Sequence, residues 1–131
     1  MMERGSPVGV RALSFAVLGF LLLLAWHFYL ERMATQDSAF FSWLLIDTHM
    51  PFAAHGRIGS WLPQALPLLL IKLQAPLEAI LRSYSVSIVF VHVIILWVLA
   101  FRLKDERAAI ALPIALVAGT HIMFYLAISE V

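Results

Sequence analysis

Three stretches of this chain run apolar for about the length a bilayer core requires, roughly 20 residues of helix. Residues 12–30 (ALSFAVLGFLLLLAWHFYL) carry no formal charge. Residues 86–103 (VSIVFVHVIILWVLAFRL) meet a charge only at Arg102, and residues 108–128 (AAIALPIALVAGTHIMFYLAI) meet none. Only Lys104-Asp105-Glu106-Arg107 separates the last two, so they are expected to form a tight antiparallel hairpin. Arg4 and Arg11 precede the first stretch. No small-residue cleavage site follows it; Glu31 and Arg32 come instead, so it reads as an uncleaved signal-anchor. Trp26 and Tyr29 fall where an aromatic belt meets the far interface.

The segment between the first and second stretches, residues 31–85, is too apolar for an unstructured connector. Asp37 can cap a helix beginning at Ser38, with Phe40, Trp43, Leu44 and Asp47 on one face. Gly56 and Gly59 break the pattern, and Ser60 can cap a second helix running to about Gln74. Pro63 is tolerable in its first turn, whereas Pro67 should kink it. This segment is short for a crossing, so it is expected at the interface or inside a bundle; a fourth crossing over 62–81 would bury Lys72 and Glu78. Pro76 suits the first turn of a third helix, with Glu78 near its positive end and Arg82 one turn on. That helix should run straight into the second span.

Composition turns this pattern into a class. The 131 residues are 63% hydrophobic and 13% charged, with a mean hydropathy of +0.93. Soluble domains are about a quarter charged, so the expected fold is an all-α integral membrane protein with about three transmembrane helices and the lipid bilayer as its solvent. It forms a single membrane domain with an interfacial helical loop. A net charge of +1 gives no reason to expect a nucleic-acid partner, and the lack of cysteine excludes disulfides and thiolate chemistry. Orientation follows from the basic residues beside the spans. Arg4, Arg11, Arg102, Lys104 and Arg107 gather on one side, predicting a cytoplasmic N-terminus (residues 1–11) and Lys104 turn. The long loop and the C-terminus then face outward.

Candidate chemistry is concentrated in the loop: Asp37, Asp47, His49, His55 and Arg57 lie within about twenty positions. A functional site would use a carboxylate as general base or metal ligand and Arg57 as a phosphate clamp. The plainer reading has Asp37 as a cap, Asp47 ending a helix, and solvated histidines and arginine; spacing alone favours it. No metal-ligand pattern stands out around Asp47, His49 and His55. His27, His92 and His121 sit in the outer halves of their spans, so an outward-opening cavity lined by His92 and His121 competes with three unremarkable interfacial histidines. Ser83, Ser85 and Ser87 alternate along one helix and are expected to need no joint role. Gly-rich nucleotide loops, nucleophile elbows and HExxH are missing from the sequence.

The order of signal-anchor, outer loop with an acidic residue, and tight hairpin resembles the N-terminal part of polytopic GT-C-type glycosyltransferases. The stretch QDSAFFSWLLIDTHMPFAAHGRIGSWLPQALPLLLIKL looks like the outer loop of bacterial membrane proteins of that build. The resemblance implies an inner-membrane enzyme taking sugar from a polyprenyl-phosphate donor on the extracytoplasmic side. Asp37 would be its catalytic or metal-binding carboxylate, with a divalent metal as the candidate cofactor, and Arg57 or His55 would meet the donor phosphate. Asp37 is followed by Ser38, where many relatives pair two acidic residues. Such enzymes also have more spans, so further C-terminal helices or a partner membrane protein would complete the site. The competing expectation is a small non-enzymatic subunit packed in a larger membrane complex.

Overall fold

A computed structural model of the chain describes residues 7–34, 36–52 and 61–118. The described residues form helices and turns without a strand: α1 (Pro7–His27), α2 (Tyr29–Met33), α3 (Gln36–Thr48), α4 (Trp61–Lys72), α5 (Leu77–Trp97) and α6 (Glu106–Ala118). A π-helical segment, Val98–Leu103, extends α5 without a break. Two helices are long and apolar enough to cross a membrane, Gly9–His27 and Leu77–Leu103, and most of the apolar stretch of each is not buried within the chain. Leu13, Phe20, Leu23, Phe90, Ile94 and Trp97 are among the large apolar residues left exposed on them. An aqueous surface of that kind would be untenable, whereas lipid solvates it at no cost. The described part of the third expected span, α6, ends at Ala118, and residues 119–128 lie outside the described residues.

α5 is the central helix, and its sequence carries two buried stripes. Ser85, Val89, Leu96 and Ala100 recur at spacings of three to four residues or their multiples and meet Leu18, Leu21 and Ala25 of α1, with Ala109 of α6 completing the cluster. Ile80 and Tyr84 face the other way, into Met33, Leu45 and Ile71 of α2, α3 and α4. Lipid tails are as apolar as leucine, so burial drives this association weakly. Close approach at Ala25, Ser85 and Ala100 and the polar bonds described below must hold the helices together.

Local chemistry sets the element ends. The first span is interrupted: at Phe28 the backbone leaves helical geometry (φ −98°, ψ 34°) and α2 starts a new turn. α3 begins at Gln36, so Asp37 sits inside its first turn and is not the cap the sequence suggests. Pro67 lies buried within α4, while Ser60, its expected cap, lies outside the described residues. α4 ends in a Schellman turn: the Ala75 amide donates to Leu70 O and the Gln74 amide to Ile71 O, both at 3.0 Å. Gln74 takes the left-handed conformation there (φ 54°) that glycine usually supplies. Pro76 then caps α5 in extended geometry, and Glu78 occupies the first turn as expected. The hairpin is as tight as its four charged residues require. Lys104 is left-handed (φ 54°), its amide and that of Asp105 reach Leu99 O, and the Asp105 carboxylate caps α6 through the Ala108 amide at 3.0 Å. α6 packs beside α1, and Arg11 meets Glu106 at 3.1 Å. Arg11 and the charged turn are therefore at one end of the described residues.

Candidate functional site

At the opposite end, α1 gives way to α2 against the early turns of α5. Because Phe28 breaks the helix, α2 turns Arg32 inward, and its side chain is completely buried. Its Nη1 donates to the Ser85 carbonyl oxygen at 2.9 Å and to Ser85 Oγ at 2.8 Å. Ser85 Oγ in turn donates to the carbonyl of Ala25 at 2.7 Å. One hydroxyl thus ties α1, α2 and α5 at a single point. Burial lowers the Arg32 pKa from the usual guanidinium value to about 10, so it remains a cation at neutral pH.

The loop helices are anchored by a second polar residue. Gln64 of α4 is buried; its Oε1 accepts from the Phe52 amide at 2.8 Å and its Nε2 donates to Phe52 O at 2.7 Å. The amide copies a backbone pairing and so closes the loop between α3 and α4. Gln64 also bonds the buried Tyr84 hydroxyl, linking that closure to α5.

Next to this anchor the surface opens. Arg82, one turn beyond Glu78, pairs with it at 2.7 Å, as their spacing predicts. The guanidinium lies 5.0 Å from the centre of the Trp26 ring and 4.6 Å from that of Tyr29, so the aromatic belt residues hold a cation. A cleft of about 370 Å³ lies beside them, with Glu78 and Arg82 on one wall and Trp26, Leu66, Leu70 and Val86 among the apolar residues. A second cleft of about 490 Å³, between α1 and α6, is lined almost wholly by aliphatic residues such as Leu13, Val17, Ile114 and Val117.

The residues singled out from sequence do not converge in the described part. Asp47 and His49 are exposed at the end of α3, where His49 adopts φ 56° and terminates the helix through its bond to Leu45 O. His92 is half-buried with Nδ1 2.7 Å from Ile88 O of its own helix, and it lines neither cleft. Asp37 is described by its backbone alone, and His55, Arg57 and His121 lie outside the described residues. Among the described residues no three His, Asp or Glu side chains are grouped to hold a metal ion.

Two structural features add to the sequence reading. Ser83, Ser85 and Ser87 are all buried, and Ser85 is the hub of the Arg32 junction. The alternation was the signal: Ser83 and Ser87 are four apart and share a face, while Ser85 lies on the other side. Small polar residues on opposite sides of an apolar helix mark one packed on both sides. Arg32, which falls within the 31–85 loop segment, is an interior residue. Its position at the exit of an apolar run, after Trp26 and Tyr29, gave no sign of the inward turn at Phe28.

The described residues form an all-α fold with two helices long and apolar enough to cross a membrane, and with α2, α3 and α4 docked on α5. No known protein family, curated protein or solved structure matches this chain.

Proposed function

We propose that this chain works at the outer surface of a bacterial inner membrane on a lipid-linked substrate, as the N-terminal part of a GT-C-like glycosyltransferase using a polyprenyl-phosphate sugar donor. The observation that supports the reading is the docked loop. Arg32 and Gln64 fasten α2, α3 and α4 to α5, making the segment a platform at the membrane surface and not a tether. Catalytic groups need that rigidity to hold a donor in line for attack.

In this reading the N-terminus is cytoplasmic and the C-terminus outside. Asp37, in the first turn of α3, takes the proton of the acceptor hydroxyl as its oxygen bonds the anomeric carbon and the bond to the donor phosphate breaks. Arg57 and His55 meet that phosphate, and further membrane helices or a partner complete the pocket. The test is Asp37→Asn in the full-length protein, assayed in membranes for transfer of labelled sugar from polyprenyl phosphate. Loss of a general base should lower the rate about 10²–10⁴-fold with expression unchanged. Transfer at the unmodified rate would remove Asp37 from the chemistry.

A second reading, a non-enzymatic subunit of a membrane complex, is favoured by one specific observation. Phe40 and Trp43 of α3 and Trp61 and Leu62 of α4 are 45–67% exposed, large apolar groups left uncovered by the chain itself. Membranes that show no transfer, together with a stoichiometric partner retained in mild detergent and lost on Trp43→Ser, would establish this reading over the first.

A further inference from the structure

The cleft beside Arg82 combines features that nothing in the transferase reading uses. Leu77–Leu103 spans 27 residues, about 40 Å of helix at 1.5 Å per residue. A hydrocarbon core is only about 30 Å thick, so the first turns of α5, with Glu78 and Arg82, fall at headgroup level. Trp26 and Tyr29, at the end of the other spanning helix, mark the same level. The cleft therefore meets lipid at the boundary between phosphate and acyl chain.

Its charges are of both signs. A guanidinium has five N–H donors, and the bond to Glu78 uses one of them. The Arg82 side chain is 31% exposed, so donors remain for an incoming acceptor, while the Glu78 side chain, 60% exposed, presents carboxylate oxygens. The remaining wall, through Leu66, Leu70 and Val86, is apolar. An anionic lipid would satisfy Arg82 but set its charge against Glu78. A ligand carrying an anion and a hydrogen-bonding cation a few atoms apart satisfies both.

We propose that this cleft binds a phosphoethanolamine lipid, with its phosphate on Arg82, its primary ammonium on Glu78 and an acyl chain along Leu66, Leu70 and Val86. Carboxylate, guanidinium, phosphate and ammonium then alternate around a closed ring of charge-assisted contacts. A choline headgroup carries the same charges but has no N–H to donate, and a glycerol headgroup lacks the cation. The site does not depend on sugar transfer.

The experiment is a lipid titration of the purified full chain in detergent, read by native mass spectrometry, with phosphatidylethanolamine, phosphatidylcholine and phosphatidylglycerol of identical acyl chains. The ethanolamine lipid should bind about tenfold more tightly than either of the others, the worth of one charge-assisted hydrogen bond. Glu78→Gln should abolish that preference, bringing the ethanolamine lipid level with the choline lipid. Arg82→Gln should weaken all three lipids. Arg82→Lys, which keeps the cation should the first variant fold poorly, should retain the preference for ethanolamine over glycerol. Equal binding of the three lipids by the unmodified protein, tighter binding of the glycerol lipid, or a preference that survives Glu78→Gln would each overturn the assignment.

Discussion

The two ends of this molecule both join their helices through an arginine, yet the two arginines are in opposite physical situations. Arg11 reaches Glu106 from α1 to α6 with both side chains partly in solvent, 29% and 44% exposed, and stands 6.0 Å from the Phe101 ring. Arg32 has no exposed surface and bonds a hydroxyl and a carbonyl on α5. A partly exposed ion pair gains little, because water competes for both partners and salt screens them. A buried cation has given up its hydration, so the bonds it makes inside the protein must make up for that loss. The Arg11 contact is thus an accessory to a hairpin already set by its turn, whereas the Arg32 junction defines how the loop helices meet the spans.

That contrast can be broken most directly at Arg32. Arg32→Ala should destabilise the fold by about 2–5 kcal/mol, since it opens a cavity among packed side chains as well as removing the bonds. Reversible unfolding in mixed micelles would measure it. Arg32→Met, which keeps most of the volume, should cost only about 1–2 kcal/mol, the range of interhelical polar bonds in membranes. If the two variants cost the same, the bonds and not the packing carry the junction.

A somewhat smaller effect is expected for Gln64→Leu. It frees the amide and carbonyl of Phe52 and the hydroxyl of Tyr84 together, for about 1–3 kcal/mol. The loss should appear first as faster amide exchange or proteolysis at the α3–α4 connection, with the spans intact. Gln74→Gly should act in the opposite sense. It relieves a left-handed non-glycine residue at the end of α4, worth about 1 kcal/mol of added stability.

Arg11→Gln should change stability by no more than about 1 kcal/mol, and 1 M salt should erase the difference. A larger, salt-insensitive cost would dissolve the contrast between the two ends. The last expectation concerns pH. Burial lowers the Arg32 pKa in the folded state, so folding disfavours its proton, and stability should rise only as pH climbs above about 10. Between pH 6 and 9 the arginine is charged in both states and its contribution is flat. A transition in that interval on which Arg32→Met has no effect would belong to another group.

Much of the architecture was legible in the residues because it depends on neighbours in sequence. An apolar run of bilayer length excludes water wherever it goes. A helix begins directly after Pro76, one position later than expected, Glu78 and Arg82 pair one turn apart, and four charged residues between two apolar helices leave room only for a hairpin. The candidate site was less legible. Asp37 as a cap failed because α3 begins one residue before it, a shift that no local preference forbade. The proposed joint cavity of His92 and His121 has only His92 among the described residues, and that histidine bonds back to its own helix.

By itself, the sequence determined that the chain is helical, apolar on nearly every face and folded back at Lys104, since each property follows from spacing and hydropathy. Only the tertiary structure decided that Arg32 is an interior residue and that Ser85 is its partner. Those two are 53 positions apart, and Ala25 is 60 from Ser85. An arginine at the end of a span has the same local pattern whether it snorkels to water or turns inward. What separates the two outcomes is the break at Phe28 and a hydroxyl waiting on another helix, and both exist only once α5 is packed against α1.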